Sequence, residues 1–354
     1  MTTRAPVGLL AALLALGACG SDDDAAGSGD AGGGDAAPAA DAGPTIWQSV
    51  DVLFDDGAIV TERVTYRSGG LLIDGQVCRP VEGGPFPVIV FNHGGFMGLG
   101  VAPDSGNCVD SARSGFVWIG SSYRGEDASE GDVEVCLGEV DDVLAMIDVA
   151  LAQPYADPDR VVMWGGSHGG CITARAVQRG APVHAAADVF GPTDLASNYR
   201  FWVDEIEAGT GPTATYQQLV DVVDTAIGGP PAGHADAYQA RSPSAFDLPG
   251  SLPFLVTHGT VDELVPVNQS CSLVAGAGGF TSFHLDGAQA EVTSPPAGCD
   301  DAGLTWTAGP RPTPDWPGGR YLVVYDGLGH GFGGAAGSAM LSDVLTFLMA
   351  KLPP

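Results

Sequence analysis

Basic residues are scarce in this chain of 354 residues, in which 14 lysines and arginines face 43 aspartates and glutamates. The formal net charge is −29, and only one residue, Lys351, is a lysine. A chain this acidic repels the phosphates of nucleic acids, so we expect no nucleic-acid partner. We interpret the charge as a feature that keeps the protein soluble.

The chain also lacks motifs that hold metal ions or phosphate groups. His184, His234 and His284 have no cysteine or carboxylate at the spacing of a metal site. No Walker loop is present, and the glycine-rich strand–helix turn that does occur surrounds a serine. The sequence therefore predicts an activity that needs neither a metal ion nor an organic cofactor.

The apolar run at residues 7–16 is too short to cross a bilayer as a helix. A basic residue precedes it, and the ending Leu-Gly-Ala-Cys at residues 16–19 resembles a bacterial lipobox. The resemblance implies a lipoprotein signal peptide over residues 1–19 and a lipid on Cys19. We therefore expect an exported protein, on the periplasmic or cell-surface side of a bacterial envelope, that contacts the membrane only through this anchor. The alternative is an ordinary secretory signal with an incidental cysteine.

Residues 20–44 consist almost entirely of Gly, Ala, Ser and Asp and contain no aromatic residue. Such a segment cannot bury enough apolar surface to fold, so we expect a disordered acidic tether. From residue 45 onward the pattern is globular, which predicts one catalytic domain over residues 45–354.

Export would place the remaining six cysteines in an oxidising compartment, where disulfides form. Six cysteines allow 15 complete pairings, which sequence cannot sort. Short loops favour Cys108–Cys136 and Cys271–Cys299, each pair 28 residues apart. We expect Cys171 to be buried on a helix beneath the site.

Short apolar runs typical of buried parallel strands alternate with helical patterns along the domain. The expected strands are residues 59–66, 71–78, 87–91, 116–120, 160–164, 184–190, 253–257 and 321–325. The expected helices are residues 140–150, 171–177 and 335–352. This alternation predicts an α/β protein with a mostly parallel, doubly wound sheet and helices on both faces. Residues 194–240 are expected to form a small cap, and residues 280–319 an irregular surface insertion.

The most informative motif is Gly-Gly-Ser-His-Gly-Gly at residues 165–170, between the strand at 160–164 and the helix at 171–177. A strand, a G-x-S-x-G turn and a helix describe a nucleophile elbow, in which Ser167 is held above the sheet. Its flanking glycines avoid collisions in the sharp turn. The motif predicts that Ser167 is a nucleophile.

A serine nucleophile needs a base, and the base needs an orienting carboxylate. In this kind of fold the three residues occur in the order serine, acid, histidine. Asp262 follows the strand at 253–257, and His330 follows the strand at 321–325 in a loop rich in glycine. Because the carboxyl ends of parallel strands meet at one edge, we expect Ser167, Asp262 and His330 to converge.

The attack on a carbonyl also needs donors for the oxyanion that forms. The sequence Asn-His-Gly-Gly-Phe at residues 92–96 follows an early strand and resembles the H-G-G turn of esterases and peptidases. We expect the backbone amides near Gly94 and Gly95, together with that of His168, to form the oxyanion hole.

Together these motifs resemble the catalytic domain of the prolyl oligopeptidase family, within the α/β-hydrolase superfamily. The matching segments are His93-Gly94-Gly95, Tyr123-Arg124-Gly125, Ser129-Glu130-Gly131, Asp157-Pro158-Asp159-Arg160, the elbow, Gly191-Pro192-Thr193-Asp194, His258-Gly259 with Asp262, and Gly329-His330-Gly331-Phe332. They extend over about residues 60–350. The resemblance implies an α/β-hydrolase fold and a triad of Ser167, Asp262 and His330.

Three functions are open at this point. The motif set favours a peptidase that acts on small peptides through an acyl-enzyme. Family peptidases carry a β-propeller ahead of the catalytic domain, whereas only the tether and two strands precede it here, so a carboxylesterase acting on small esters is the alternative. A third hypothesis is an inactive hydrolase fold used as an envelope binding protein, although the triad residues and elbow glycines are all present. No pattern indicates an oligomeric state.

Overall fold

A computed structural model of the protein describes residues 46–354. The predicted signal peptide (residues 1–19, with the lipidation site Cys19) and the predicted tether (residues 20–44) lie outside the described residues. None of the helices within residues 46–354 is long and apolar enough to span a membrane.

Eleven strands and eight α-helices alternate along the described chain. The strands are β1 (Ser49–Asp55), β2 (Ile59–Ser68), β3 (Leu71–Pro80), β4 (Phe86–Asn92), β5 (Val117–Ser121), β6 (Ala156–Gly166), β7 (Ala185–Val189), β8 (Phe254–Gly259), β9 (Thr281–Leu285), β10 (Glu291–Val292) and β11 (Arg320–Tyr325). The helices are α1 (Asn107–Arg113), α2 (Gly138–Leu151), α3 (His168–Gln178), α4 (Leu195–Ala208), α5 (Thr213–Ile227), α6 (Ala235–Arg241), α7 (Asn268–Ala277) and α8 (Gly334–Lys351).

All of these strands form one sheet with the order β1-β2-β3-β5-β4-β6-β7-β8-β11-β9-β10. The strands β5, β4, β6, β7, β8, β11 and β9 pair in parallel, and the strands at both ends of the sheet pair antiparallel. The predicted fold class, a mostly parallel doubly wound sheet, is confirmed.

Apolar layers cover both faces of the sheet because its central strands are apolar on both sides. Every residue of β7, β8 and β11 is buried. Helices α2, α3 and α7 pack on one face, and α1 and α8 pack on the other. Burial of a whole valine or leucine side chain contributes about 1.5–3 kcal/mol, so these layers fix the sheet that carries the site.

The prediction that residues 280–319 form only an irregular surface insertion is wrong for the beginning of this segment, residues 281–285. Strand β9 runs parallel to β11 inside the sheet, and its Phe283 and Leu285 are buried. Strand β9 is only five residues long and is followed by a stretch rich in Pro and Gly, so the sequence shows no strand-like alternation of apolar residues there. The edge strand β1 is largely exposed and also carries no apolar pattern strong enough to predict it.

Within residues 46–354 the structure contains three disulfides, and only one of them is an expected pair. Cys271 pairs with Cys299, as expected, but the predicted Cys108–Cys136 pair is wrong. Cys108 pairs with Cys78 because α1 packs over β3, and their Cα atoms are 5.5 Å apart. Cys136 pairs instead with Cys171, which is buried on α3 as expected, so the loop before α2 is tied to the helix that follows the serine turn.

Helices α4, α5 and α6 are inserted between β7 and β8, in the stretch 194–240 that the sequence predicts to be a cap. Asp194 caps the N-terminus of helix α4, because its side chain accepts a hydrogen bond from the backbone N–H of Ser197 (2.9 Å). Gly209, which has a left-handed backbone conformation (φ 69°), caps the C-terminus. Residues of α4 and α5 face the carboxyl edge of the sheet, where the predicted site lies.

Candidate active site

Ser167 occupies a sharp turn between β6 and α3. Its backbone has φ 57° and ψ −125°, a conformation that costs a non-glycine residue about 1–3 kcal/mol and that concentrates at functional sites. A Cβ atom at Gly169 would collide with the carbonyl of Asn92, and one at Gly165 would collide with the carbonyl of Gly169. The turn therefore requires both glycines and presents Ser167 at the carboxyl edge of the sheet.

Asp262 and His330 form a hydrogen-bonded pair at the same edge. The Nδ1–H of His330 donates to Asp262 Oδ2 at 2.8 Å, with Oδ1 at 3.0 Å. The loops that carry them are joined by a hydrogen bond from Val261 N–H to the Leu328 carbonyl (3.1 Å). A Cβ at Gly259 would strike this same carbonyl, so glycine lets the two loops approach each other.

The carboxylate of Asp262 is held ionised by several donors. Its Oδ1 accepts hydrogen bonds from the backbone N–H groups of Leu264 (2.9 Å) and Val265 (2.8 Å). Burial raises the pKa of Asp262, but hydrogen bonds with His258 and His330 outweigh burial and leave this pKa well below its usual range. Asp262 is therefore a carboxylate at neutral pH, facing the imidazole of His330.

His258 supports the loop that carries Asp262. Its Nε2 lies 2.7 Å from the Val265 carbonyl and 3.4 Å from Asp262 Oδ2, and its Nδ1 lies 2.7 Å from the Ser270 hydroxyl. The carbonyl can only accept, so Nε2 carries the proton. This fully buried ring fixes the loop between β8 and α7 from below.

Ser167 and His330 line one cavity of about 420 Å³. Its floor also contains Gly94, Gly95 and His168, and its opposite wall is built by α4 and α5 of the cap. The two side chains make no direct hydrogen bond in this structure. Such bonds are often long in free enzymes and shorten when substrate binds.

Two imidazoles fix the orientation of the glycine loop after β4. His93 Nδ1 lies 3.1 Å from the Gly94 carbonyl, and His168 Nδ1 lies 3.1 Å from the Gly95 carbonyl. In a trans peptide the N–H points opposite to the C=O, so the N–H groups of Gly95 and Phe96 point away from these rings. Within residues 46–354 these two N–H groups, and that of His168 at the first turn of α3, have no hydrogen-bond partner.

The side chain of His168 is a neutral structural group. Its Nε2 accepts a hydrogen bond from the Cys136 N–H (3.1 Å), so the proton is on the Nδ1 that donates to Gly95. Burial lowers the pKa of His168 to about 4. The Cys136–Cys171 disulfide holds the loop that sets this tautomer.

Glu126 is a buried carboxyl beneath the same glycine loop, with 4% of its surface exposed. Its Oε2 accepts a hydrogen bond from the Gly98 N–H and lies 4.0 Å from His93 Nε2. Burial raises the pKa of Glu126 from 4.5 to about 8, and the nearby Glu139 and Asp127 add to the effect. The group therefore carries a proton at neutral pH.

Replacement of Glu126 by glutamine is expected to reduce the loss of stability at high pH. The folded-state pKa exceeds the unfolded one, so between pH 4.5 and 8 the folded protein binds the additional proton and loses stability as pH rises. Between pH 5 and pH 9, thermal unfolding should show wild type losing about 4 kcal/mol of stability relative to E126Q, with an intermediate loss at pH 7. The surface variant Glu82→Gln serves as the control. Parallel stability curves for wild type and E126Q would contradict this assignment.

Phe190 and Val135 are among the residues of the site that the sequence analysis does not name. Phe190 follows β7 with a left-handed backbone (φ 44°), and its ring lies 4.7 Å from that of His330. Val135, also left-handed (φ 56°), lines the cavity and donates its N–H to Glu139 Oε1 at 2.8 Å. Phe190 directly follows a parallel strand, so its location at the edge of the sheet where the site lies is predictable from the sequence, whereas no local sequence pattern marks Val135.

Comparisons with known proteins agree with this architecture. A family model described as the prolyl oligopeptidase family matches residues 112–277, which include Ser167 and Asp262. A curated relative, the uncharacterized peptidase YtmA of Bacillus subtilis (strain 168), is 25% identical over 210 residues, 58% of this chain and 75% of that protein.

Solved structures with the same fold include peptidases and esterases. The Pyrococcus horikoshii acylaminoacyl peptidase has a TM-score of 0.57 and 18% identity, over 83% of this chain and 42% of that one. The acetyl xylan esterase from Paenibacillus sp. R4 has a TM-score of 0.56 and 16% identity, over 86% of this chain and 88% of that one. The chain thus spans less than half of the peptidase and most of the esterase.

These findings define the class: the protein is a serine hydrolase with the α/β-hydrolase fold. The resemblance to the prolyl oligopeptidase family that its motifs indicate is confirmed by the match over residues 112–277.

Proposed function

We propose that the protein is a serine peptidase of the prolyl oligopeptidase type that cleaves amide bonds of small peptides with Ser167 as nucleophile. The observation that carries the proposal is the Asp262–His330 hydrogen bond of 2.8 Å at the sheet edge where Ser167 ends the elbow. All three residues follow parallel strands of one sheet, and Ser167 and His330 share one cavity. The family match supports the choice of peptide bonds.

In the proposed reaction, Ser167 Oγ forms a bond to the substrate carbonyl carbon while its proton passes to His330 Nε2. The Nδ1–H of His330 is already hydrogen-bonded to Asp262, so Nε2 is the nitrogen available to receive the proton. Asp262 stabilises the imidazolium that results. When the carbon–nitrogen bond breaks, the proton moves to the leaving amine, and water then releases the acyl group by the same steps.

We assign the oxyanion hole to backbone N–H groups of the glycine loop after β4 and of α3 that have no hydrogen-bond partner in the described part of the chain, residues 46–354. Those of Gly95, Phe96 and His168 belong to residues that line the cavity beside Ser167. A Cβ at Gly94 would lie 3.1 Å from Ser167 Cβ, so this loop passes directly beside the nucleophile. One such donor contributes about 100- to 1,000-fold to kcat in serine hydrolases.

A carboxylesterase is the second candidate, and the apolar wall of the cavity favours it. Leu195, Trp202, Leu219 and Val223 of the cap face Ser167 across the cavity. A wall of this kind binds an acyl chain without requiring a peptide backbone.

A comparison of substrates distinguishes the two candidates. We expect the purified protein to release p-nitroaniline from short peptidyl p-nitroanilides as well as p-nitrophenol from acyl esters, since both reactions pass through an acyl-enzyme and the ester has the better leaving group. Anilides are the decisive arm because their amide bond requires proton donation to a poor leaving group. Rapid turnover of esters with no turnover of a panel of anilides would contradict the peptidase and establish the esterase.

A further inference from the structure

The cap wall of the cavity is apolar except for Asn198, on the first turns of α4. Asn198 has 1% of its surface exposed and lies among Leu195, Trp202 and Leu264 on the cavity wall. Burying an amide in such surroundings is unfavourable unless both of its ends are hydrogen-bonded. Asparagine is therefore an unexpected residue at this position.

Only one end of the Asn198 amide is paired. Its Nδ2 donates to the Leu264 carbonyl at 3.3 Å, and the same carbonyl accepts the indole N–H of Trp202 at 2.7 Å. The carbonyl cannot donate, so the nitrogen must face it and Oδ1 must point elsewhere. Within residues 46–354, Oδ1 is a buried acceptor that has no hydrogen-bond partner.

A buried acceptor left without a partner costs about 1–3 kcal/mol, which a leucine of similar shape at this position would avoid. The cost is recovered if the substrate supplies a donor when it fills the cavity. The other polar groups there belong to the reaction centre around Ser167, so Asn198 is the one polar group on the cap wall of the described cavity.

We infer that Asn198 determines specificity by accepting a hydrogen bond from an N–H or O–H of the group bound against the cap. This inference rests on the proposed function of Ser167. It names the substrate class as acyl groups that carry an N–H or O–H donor, such as an N-acylated small amino acid, in preference to acyl groups of the same shape that lack the donor. Buried polar groups reject analogues that lack the matching partner more strongly than apolar pockets reject size.

The test uses two substrates that differ in one group. The phenyl esters of N-acetylglycine and of 4-oxopentanoic acid have the same length, with an N–H in the first where the second has a CH₂. We expect kcat/KM of wild type to favour the N-acetylglycine ester, and the ratio of the two to fall about tenfold or more in Asn198→Leu. Because the two esters differ in intrinsic reactivity by the same factor for both proteins, this difference cancels when the ratio is compared between wild type and variant.

Trp202→Phe is the matched control, because it removes the other hydrogen bond to the Leu264 carbonyl and keeps Asn198. If Asn198 acted only by holding Leu264, and through it the loop of Asp262, Asn198→Leu and Trp202→Phe would change both esters equally. An unchanged ratio in a folded Asn198→Leu, with active sites counted by fluorophosphonate titration, would overturn the inference and leave the proposed function intact. Hydrolysis of neither ester by wild type would overturn the proposed function and, with it, the inference.

Discussion

Ser167→Ala is expected to lower kcat by about 10⁵- to 10⁶-fold on any substrate that the protein cleaves, because no other group can form the acyl-enzyme. The remaining donors near Gly95 and His168 would still bind substrate, so KM should change little. Steady-state kinetics on the best ester or anilide, with wild type and variant prepared in parallel, measure the effect.

The Ser167→Ala variant should remain folded. Alanine adopts the left-handed conformation at this position (φ 57°) at a cost similar to that of serine, so the melting temperature should be nearly unchanged. Ser272→Ala, at an exposed position of α7, is the matched control and should retain full activity. A folded Ser167→Ala that keeps more than about 1% of the wild-type kcat would exclude Ser167 as the nucleophile.

Asp262→Asn is expected to lower kcat by about 10⁴-fold through a change in the tautomer of His330. The Leu264 and Val265 N–H groups both donate to Oδ1, so the carbonyl oxygen of asparagine would keep that place. Its Nδ2 would then occupy the place of Oδ2, 2.8 Å from His330 Nδ1. Since Nδ2 only donates, Nδ1 would have to accept and the ring proton would move to Nε2, which could no longer receive the Ser167 proton.

Asp326→Asn is the matched control for this variant. Asp326 likewise lies just after a strand and beside a histidine, with its Oδ1 2.9 Å from His284 Nε2, but neither residue lines the cavity. Its substitution should leave kcat within about threefold of wild type. A loss of less than tenfold in Asp262→Asn would show that Asp262 is not the partner of the catalytic histidine.

Much of the site can be predicted because it depends on sheet topology. Ser167, Asp262 and His330 each follow an apolar run, and parallel strands bring such positions to one edge whatever the loops do. The structure places the three residues at that edge, with the Asp262–His330 bond formed. The glycines at 165 and 169 are equally predictable, since the turn leaves no space for a Cβ.

Other features depend on contacts that have no local pattern. The pairing of Cys136 with Cys171 arises from a loop folding back on α3, which loop length alone does not reveal. Strand β9 is too short to show a period within its surroundings. Oδ1 of Asn198 has no hydrogen-bond partner among the residues that the structure describes, because the Nδ2 of the same amide faces the Leu264 carbonyl. This orientation is visible only in the side-chain coordinates.

The most direct test of the account is to locate a covalent adduct. The folded protein should react with a fluorophosphonate at one residue, and mass spectrometry of its peptides should place the phosphonyl group on Ser167. The Ser167→Ala variant should take up no label, and the rate of labelling should be much lower in His330→Ala. An adduct on a different serine, or a folded protein that takes up no label, would contradict the claim that hydrolysis takes place at the elbow.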